Sequence, residues 1–332
     1  MNRLLSRLAN FVWYQDVFIA TWLTGFTMLF IDFVRFRRFL YRKGWLKSTR
    51  LAVPVIVVGN LTVGGTGKTP LTIALAQHLR QVGYRPGIIS RGYGGRKTAH
   101  PLMLTADSVA DEVGDEAILL YRQSGCPVVV AANRVMAAQW LLQHTDCNLI
   151  VADDGLQHYA LQRTVEIAVI DGERRFGNAN CLPGGPLREP LERLKEVHFK
   201  IVNGTATEED EIAMFIQADS AIQLTTGQSK PLTEFSQFPC HAVAGIGYPP
   251  RFFNLLTQQG LTITAHAFPD HHRFKPKDLI FKPSYPVLMT EKDAVKCQAF
   301  AQSDYWYVPI TVKLPDHFFS QLLALLAQFS KS

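Results

Sequence analysis

The sequence predicts an α/β protein: a P-loop doubly wound parallel sheet, followed by a second, smaller α/β domain and preceded by an N-terminal membrane-associated helix. Three observations predict it. Short continuous apolar runs alternate with amphipathic stretches, the pattern of strands buried on both faces between helices. One of these runs feeds a glycine-rich turn that opens a helix, Gly59 to Thr69. The length of 332 residues exceeds one comfortable hydrophobic core, so two α/β domains are expected.

The elements follow in order. Val53–Val58 (VPVIVV) reads as a buried strand, 69–82 as an amphipathic helix ended by Gly83, and Gly87–Ser90 as a second strand. A helix is expected over 109–122, a strand over Pro127–Ala131, a helix over 133–143 and a strand over Asn148–Ala152 that runs into Asp153-Asp154. Val165–Asp171 and His198–Val202 supply further strands. The polar, acidic stretch Thr205–Glu211 reads as a domain edge. After it come a strand at 241–245, a helix at 250–259, strands at 261–268, 285–289 and 305–312, and a last helix at 316–329. The expected division is 1–45 for the N-terminal amphipathic helix and basic segment, 46–208 for the P-loop domain, and 209–332 for a domain completing a cleft.

A hydrophobic fraction of 47% with 19% charged residues fits a folded chain and excludes a disordered one. The formal net charge of +6 suits an anionic partner. The five cysteines form no CxxC pair, which argues against a disulfide framework or zinc site and for a reducing compartment.

Residues 17–31 carry no charge but are short of the about 20 apolar residues that a span needs. Phe18, Trp22, Phe26, Phe30 and Phe33 recur at helical spacing, and Arg35, Arg37, Arg38, Arg42, Lys43, Lys47 and Arg50 follow. An aromatic face beside a basic cluster fits a helix lying in an anionic headgroup region. A helix buried against the protein's own core and a single span are the alternatives.

In the turn Gly59–Thr69, glycines let successive backbone N–H groups face one anion, and the following helix adds its positive dipole end. Thr62, Val63, Gly64, Gly65, Thr66, Gly67, Lys68 and Thr69 are therefore candidates for holding nucleotide phosphates. Lys68 can reach the β- and γ-phosphates and Thr69 can ligate Mg²⁺. The first consensus glycine falls at Thr62, so the loop reads GGTGKT, as in MinD-like ATPases, although Val63 stands where that branch often carries lysine.

Asp153 and Asp154 end an apolar strand, where a carboxylate can hold the metal of a P-loop site. Asp115-Glu116 fits either helix N-terminal charge or a general base with a metal-side neighbour. Asp270-His271-His272 reads as an oriented acid/base, a surface turn or a metal pair. Arg188 is either a phosphate clamp or a helix-start cation.

Seven segments, in order, resemble the tetraacyldisaccharide 4′-kinase family of the lipid A pathway: VGNLTVGGTGKTP, SRGYGG (Ser90–Gly95), VGDEA, ADDGLQH (Ala152–His158), LPGGPLRE, FPDHH and TEKDAVK (Thr290–Lys296). The resemblance implies two α/β/α domains joined by a strand linker, with ATP and a membrane-resident lipid meeting between them. It implies transfer of the ATP γ-phosphate to the 4′-hydroxyl of a tetraacyl glucosamine disaccharide 1-phosphate. Lys68 and Thr69 then serve nucleotide and Mg²⁺, Asp115 the base, Glu116, Asp153 and Asp154 the metal side, and His271 catalysis from the second domain. Arg188 matches a cleft arginine, and Arg91, Gln157 and His158 lie in matching motifs on the substrate side. Ala117 stands where the family motif often has proline. A glycolipid substrate, an anionic membrane surface, no nucleic acid and a monomer are expected, at the cytoplasmic face of the bacterial inner membrane. A MinD-like regulatory ATPase at the membrane is the alternative. A GTP-dependent metallochaperone is disfavoured because Glu291 breaks the guanine-reading pattern in Thr290-Glu291-Lys292-Asp293.

Overall fold

A computed structural model of the chain describes residues 12–14, 22–96 and 100–329. Among these residues two sheets form. The first has the order β15-β8-β7-β6-β1-β5-β2-β4-β3, with β1 (Val55–Gly59) at its centre, β5 (Leu149–Asp153) on one side and β6 (Val165–Asp171) on the other. Beyond these lie β2 (Pro86–Ser90), β4 (Val128–Val130) and β3 (Leu102–Met103) on one flank. On the other flank are β7 (Phe199–Asn203), β8 (Glu211–Gln217) and β15 (Thr311–Lys313). All pairings are parallel except the two edges, β3 with β4 and β15 with β8. Every residue of β1, β5 and β6 is buried, as their unbroken apolar runs require when helices cover both faces.

The second sheet has the order β10-β9-β14-β13-β11-β12, formed by β9 (Ser220–Gln223), β10 (Ser229–Pro231), β11 (Cys240–Ala244), β12 (Ile263–Ala267), β13 (Val287–Thr290) and β14 (Tyr305–Val308). Its four strands β12, β11, β13 and β14 are parallel, and helix Pro249–Gln258 crosses from β11 to β12.

The division expected at 208/209 does not coincide with the sheets. β8, β15 and the closing helix Asp316–Phe329 all lie beyond that point. Yet β8 pairs with β7, β15 pairs with β8, and Phe318, Leu322 and Leu326 pack into the first core. The polar stretch before β8 is a surface turn, and composition does not report which sheet the next strand joins. The strand expected over 305–312 is two strands in two sheets, parted at Pro309-Ile310. Proline has no N–H for a ladder, and the chain crosses between sheets there.

The helix expected over 109–122 is broken at Gly114, whose φ of 91° and ψ of 147° are not helical. A Cβ at this position would lie 2.4 Å from the Tyr93 carbonyl oxygen, so only glycine fits. The break restarts the helix at Asp115. Thr290–Lys296, not expected as a helix, forms one over Glu291–Cys297, with the Thr290 hydroxyl accepting from the Asp293 N–H at 3.2 Å.

The N-terminal helix spans Thr24–Arg42. Phe18 of the expected stripe lies outside the described residues. Phe30 turns inward against the first domain, while Trp22, Phe26, Leu29, Phe33 and Phe36 face outward and are exposed. Part of the basic cluster is held by the protein itself: Arg35 pairs with Glu192 at 3.5 Å, and Arg38 and Arg42 both pair with Glu196. Among the described residues no helix is long and apolar enough to cross a membrane.

Candidate active site

The cleft lies at the carboxyl ends of β1, β5 and β6, where strand order reverses about β1 and a doubly wound sheet leaves a crevice. The loop after β1 opens helix Lys68–Gln81. Three of its successive carbonyls are anchored, one from within the loop and two from outside it. Asn60 Nδ2 donates to Gly64 O at 3.4 Å, Arg174 Nη2 to Gly65 O at 3.0 Å, and Asn203 Nδ2 to Thr66 O at 3.1 Å. In a trans peptide the next N–H points opposite to the carbonyl, so the amides of Gly65, Thr66 and Gly67 are turned into the loop. Asn60, Arg174 and Asn203 were not singled out in the sequence; they come from three different strand ends or loops, which only folding brings together.

Thr62 and Val63 run alongside the segment Leu182–Arg188. Val63 N–H donates to Pro186 O at 2.8 Å, and Thr62 forms a bridge with Leu187. Val63 N–H thus already has its acceptor in the segment Leu182–Arg188.

The two aspartates after β5 divide. Asp153 accepts from Thr72 Oγ1 at 3.2 Å and Thr69 Oγ1 at 3.4 Å. Burial, then the charge of Glu116, pushes its carboxyl up to about 7, against the pull of Lys68. Asp154, in the left-handed region with φ 52°, pairs with Arg188 at 3.0 Å and Lys68 at 3.7 Å. Burial alone would raise its carboxyl, but Lys68 and Arg188 hold it down to about 2. Asp153 with Thr69 is thus an acidic site short of cations, the chemistry that fits Mg²⁺, whereas Asp154 already has its cations. Among the described residues no three acidic, His or Cys side chains form a complete metal cage. A Mg²⁺ that keeps waters and leans on phosphates does not need one.

Across the cleft, His271 Nδ1 sits 3.1 Å from both oxygens of Asp115, joining residues 156 apart in sequence. Asp115 is buried at 5% exposure, and its Oδ1 also accepts from the Glu116 N–H at 2.9 Å. Burial raises its carboxyl, but the His271 hydrogen bond and the charges of Lys292, His271 and Lys296 bring it down to about 2. Burial pulls the His271 imidazole down, but the Asp115 hydrogen bond together with the charges of Asp270 and Asp115 outweighs it, so it titrates above its usual range. His272 turns away to Asp278 at 3.1 Å.

Helix Glu291–Cys297 adds two lysines that the sequence did not assign. Lys292 Nζ lies 2.8 Å from Glu116 Oε1 and 3.0 Å from Asp270 Oδ1, and Lys296 Nζ lies 3.6 Å from Asp115 Oδ2. Asp293, the residue a guanine reader would need free, is fully buried and accepts from Gly245 N–H and Thr290 Oγ1, both at 2.7 Å.

Of the expected substrate-side residues, Gln157 is spent inside the protein: its Nε2 donates to Asn60 O at 3.1 Å and its Oε1 accepts from Arg188 Nη1 at 3.4 Å. His158 Nε2 is buried with no hydrogen-bond partner among the described residues. Burial and the charges of Arg134, Arg163, Arg37 and Arg91 drive this imidazole down to about 4, so it is neutral at pH 7 within a positive surround.

The family model for tetraacyldisaccharide-1-P 4′-kinase (LpxK) matches residues 19–327. The chain belongs to the tetraacyldisaccharide-1-P 4′-kinase family. A tetraacyldisaccharide 4′-kinase of Nitrosococcus oceani is 52% identical over 319 residues, covering 96% of this chain and 94% of the relative. One of Methylobacillus flagellatus is 46% identical over 330 residues, covering 99% and 98%. The crystal structure of "apo" form LpxK from Aquifex aeolicus in complex with ATP superposes with a TM-score of 0.79 at 27% identity, over 94% of this chain and 99% of that one. The expected family, α/β fold and kinase chemistry are borne out by these likenesses.

Proposed function

We propose that the cleft transfers the γ-phosphoryl group of ATP to the 4′-hydroxyl of a tetraacyl glucosamine disaccharide 1-phosphate, at the cytoplasmic face of the inner membrane. The observation that carries this reading is the Asp115–His271 pair, built from both domains and set against a phosphate cradle. An ATPase switch needs the cradle but has no use for a base beside it that is held by a histidine from a second domain.

Phosphoryl transfer passes through a loose transition state, so positioning and charge neutralisation dominate. The inward amides of Gly65 to Gly67 and Lys68 hold the phosphates. Thr69, Asp153 and Glu116 are the residues that would hold Mg²⁺, which when bound neutralises charge on the β- and γ-phosphoryl oxygens. Asp115, kept ionised by its cationic neighbours, accepts the hydroxyl proton, and His271 orients that carboxylate and shares the charge. Arg37 on the N-terminal helix, with Arg91 and Arg134 beside the neutral His158, makes a positive field suited to the acceptor's own phosphate. Arg188 shares Asp154 with Lys68 of the cradle.

The exposed face of Trp22, Phe26, Leu29, Phe33 and Phe36 supports a helix lying on the bilayer, with the acyl chains left in the lipid. We read the protein as a monomer acting alone on lipid. Incubation with γ-labelled ATP, Mg²⁺ and an acylated glucosamine disaccharide 1-phosphate in detergent is expected to label the lipid. Label appearing solely as free phosphate would remove the kinase reading and leave the ATPase.

A further inference from the structure

The segment Thr290–Lys296 enters the mechanism above by keeping Asp115 charged, yet it also supplies the cation that lies closest to the metal-side carboxylate Glu116. We propose that Lys292 is a positioning residue that competes with the metal: its ammonium holds Glu116 and gives it up when Mg²⁺·nucleotide arrives. This rests on the nucleotide and metal reading of the same site.

The geometry carries the argument. Lys292 Nζ reaches Glu116 Oε1 on the first domain at 2.8 Å and Asp270 Oδ1 on the second at 3.0 Å. Its side chain is 11% exposed, whereas that of Glu116 is 36% exposed and so open to an arriving ion. Carboxylates crowd here: Asp115 is adjacent in sequence, Asp153 feels the Glu116 charge and Asp270 shares the ammonium, while Lys296 and Lys68 pair with Asp115 and Asp154. Crowded carboxylates repel unless a cation sits among them. One ammonium with three donors can bridge two carboxylates but cannot replace a divalent ion.

The helix is built to aim this side chain. Thr290 caps it, Asp293 ties it to Gly245 N–H, and Lys296 is fixed to Asp293 at 2.8 Å. Lys292 is thereby rigidly presented, while its second partner, Asp270, is the residue next to His271. When Glu116 turns to the metal, the ammonium keeps Asp270 and with it the loop that carries His271. The lysine thus links metal arrival to the placement of the histidine without touching the reacting atoms.

The test is Mg²⁺ affinity in the presence of ADP, where no transfer occurs, measured by titration calorimetry on the full chain. Lys292→Met is expected to tighten Mg²⁺ by about tenfold, since the competing charge is gone. Lys292→Arg keeps the charge and is expected to stay near wild type. Asp270→Asn leaves Lys292 wholly to Glu116 and is expected to weaken Mg²⁺ several-fold. Unchanged or weaker Mg²⁺ binding in Lys292→Met overturns the proposal. If that variant fails to fold, the asparagine variant decides: unchanged or tighter binding overturns it equally. Absence of any Mg²⁺·ADP binding by the wild-type chain would instead overturn the nucleotide-site reading on which the proposal stands.

Discussion

Asp115 owes its charge state to position, not to its own chemistry. Its helix restarts at a glycine, its backbone neighbour donates to it, and His271, Lys292 and Lys296 from the second domain face it. Asp115→Ala is expected to cost at least about 100-fold in turnover while leaving nucleotide affinity intact, as seen by comparing single-turnover rates with ADP binding. Near-normal turnover would take the base role from it. Glu291, in the same helix as Lys292, shows the opposite behaviour. Burial pushes its carboxyl up to about 7 while Gln123 donates to it. Between about 4.5 and 7 the folded state keeps a proton that the unfolded chain releases, so stability falls as pH rises through this window. Glu291→Gln, whose amide oxygen accepts the same bond, should therefore stabilise by on the order of 1–2 kcal/mol at pH 8 and by little at pH 4.5. Urea unfolding at the two pH values reads the difference, and an equal effect at both would rule the explanation out.

The N-terminal helix illustrates what an element can do that residues cannot. Its outward face repeats at spacings of three and four and carries Trp22, Phe26, Leu29, Phe33 and Phe36. Its inward face is pinned by charge: Arg38 and Arg42 meet Glu196, and Arg37 Nη1 donates to Gln157 O at 3.2 Å. Beneath it Arg193, itself buried, pairs with Glu166 at 2.5 Å and lies near Glu189. A helix so fixed presents apolar surface to something other than its own core. Replacing Phe26, Leu29 and Phe33 with Ser should cut association with anionic vesicles by about tenfold or more in a flotation assay, because each loses roughly 1.5–3 kcal/mol of burial in lipid. ADP affinity should hold. Full vesicle binding by the triple variant would contradict the membrane reading.

At the scale of the whole molecule, the two sheets meet at the phosphate cradle. Asp115 with His271 and Glu116 with Lys292 join them on one side of the loop; on the other, Asp171 at the end of β6 pairs with Arg251 at 2.8 Å and Arg174 at 2.7 Å. Arg174 also lies 4.6 Å from the ring centre of Tyr248 while donating to Gly65. Between the two clamps the backbones touch: a Cβ at Gly247 would lie 2.7 Å from Gly65 N. Gly247→Ala therefore pushes the second domain off the cradle. Turnover should fall by about 10–100-fold, since misplacement by an ångström has costs of that size. Melting temperature should change little, and wild-type kinetics would show that the contact does not set the cleft.

The central strands, the glycine-rich loop, the aspartates after β5 and the aspartate at Gly114 were all legible in the chain, because each is a local pattern: an apolar run, a turn, a cap. The family segments were legible for the same reason. What the chain did not disclose lies in pairings between distant residues. Strand β8 and the closing helix return to the first sheet, Phe30 turns inward where Leu29 and Phe36 turn out, Val63 donates to Pro186, and Lys292 reaches Glu116. Local propensity records what a residue prefers beside its sequence neighbours, but a hydrogen bond or ion pair across more than a hundred residues exists only after the sheets close. Tertiary structure alone therefore decided which aspartate meets Lys68 and Arg188 and which cations surround Asp115.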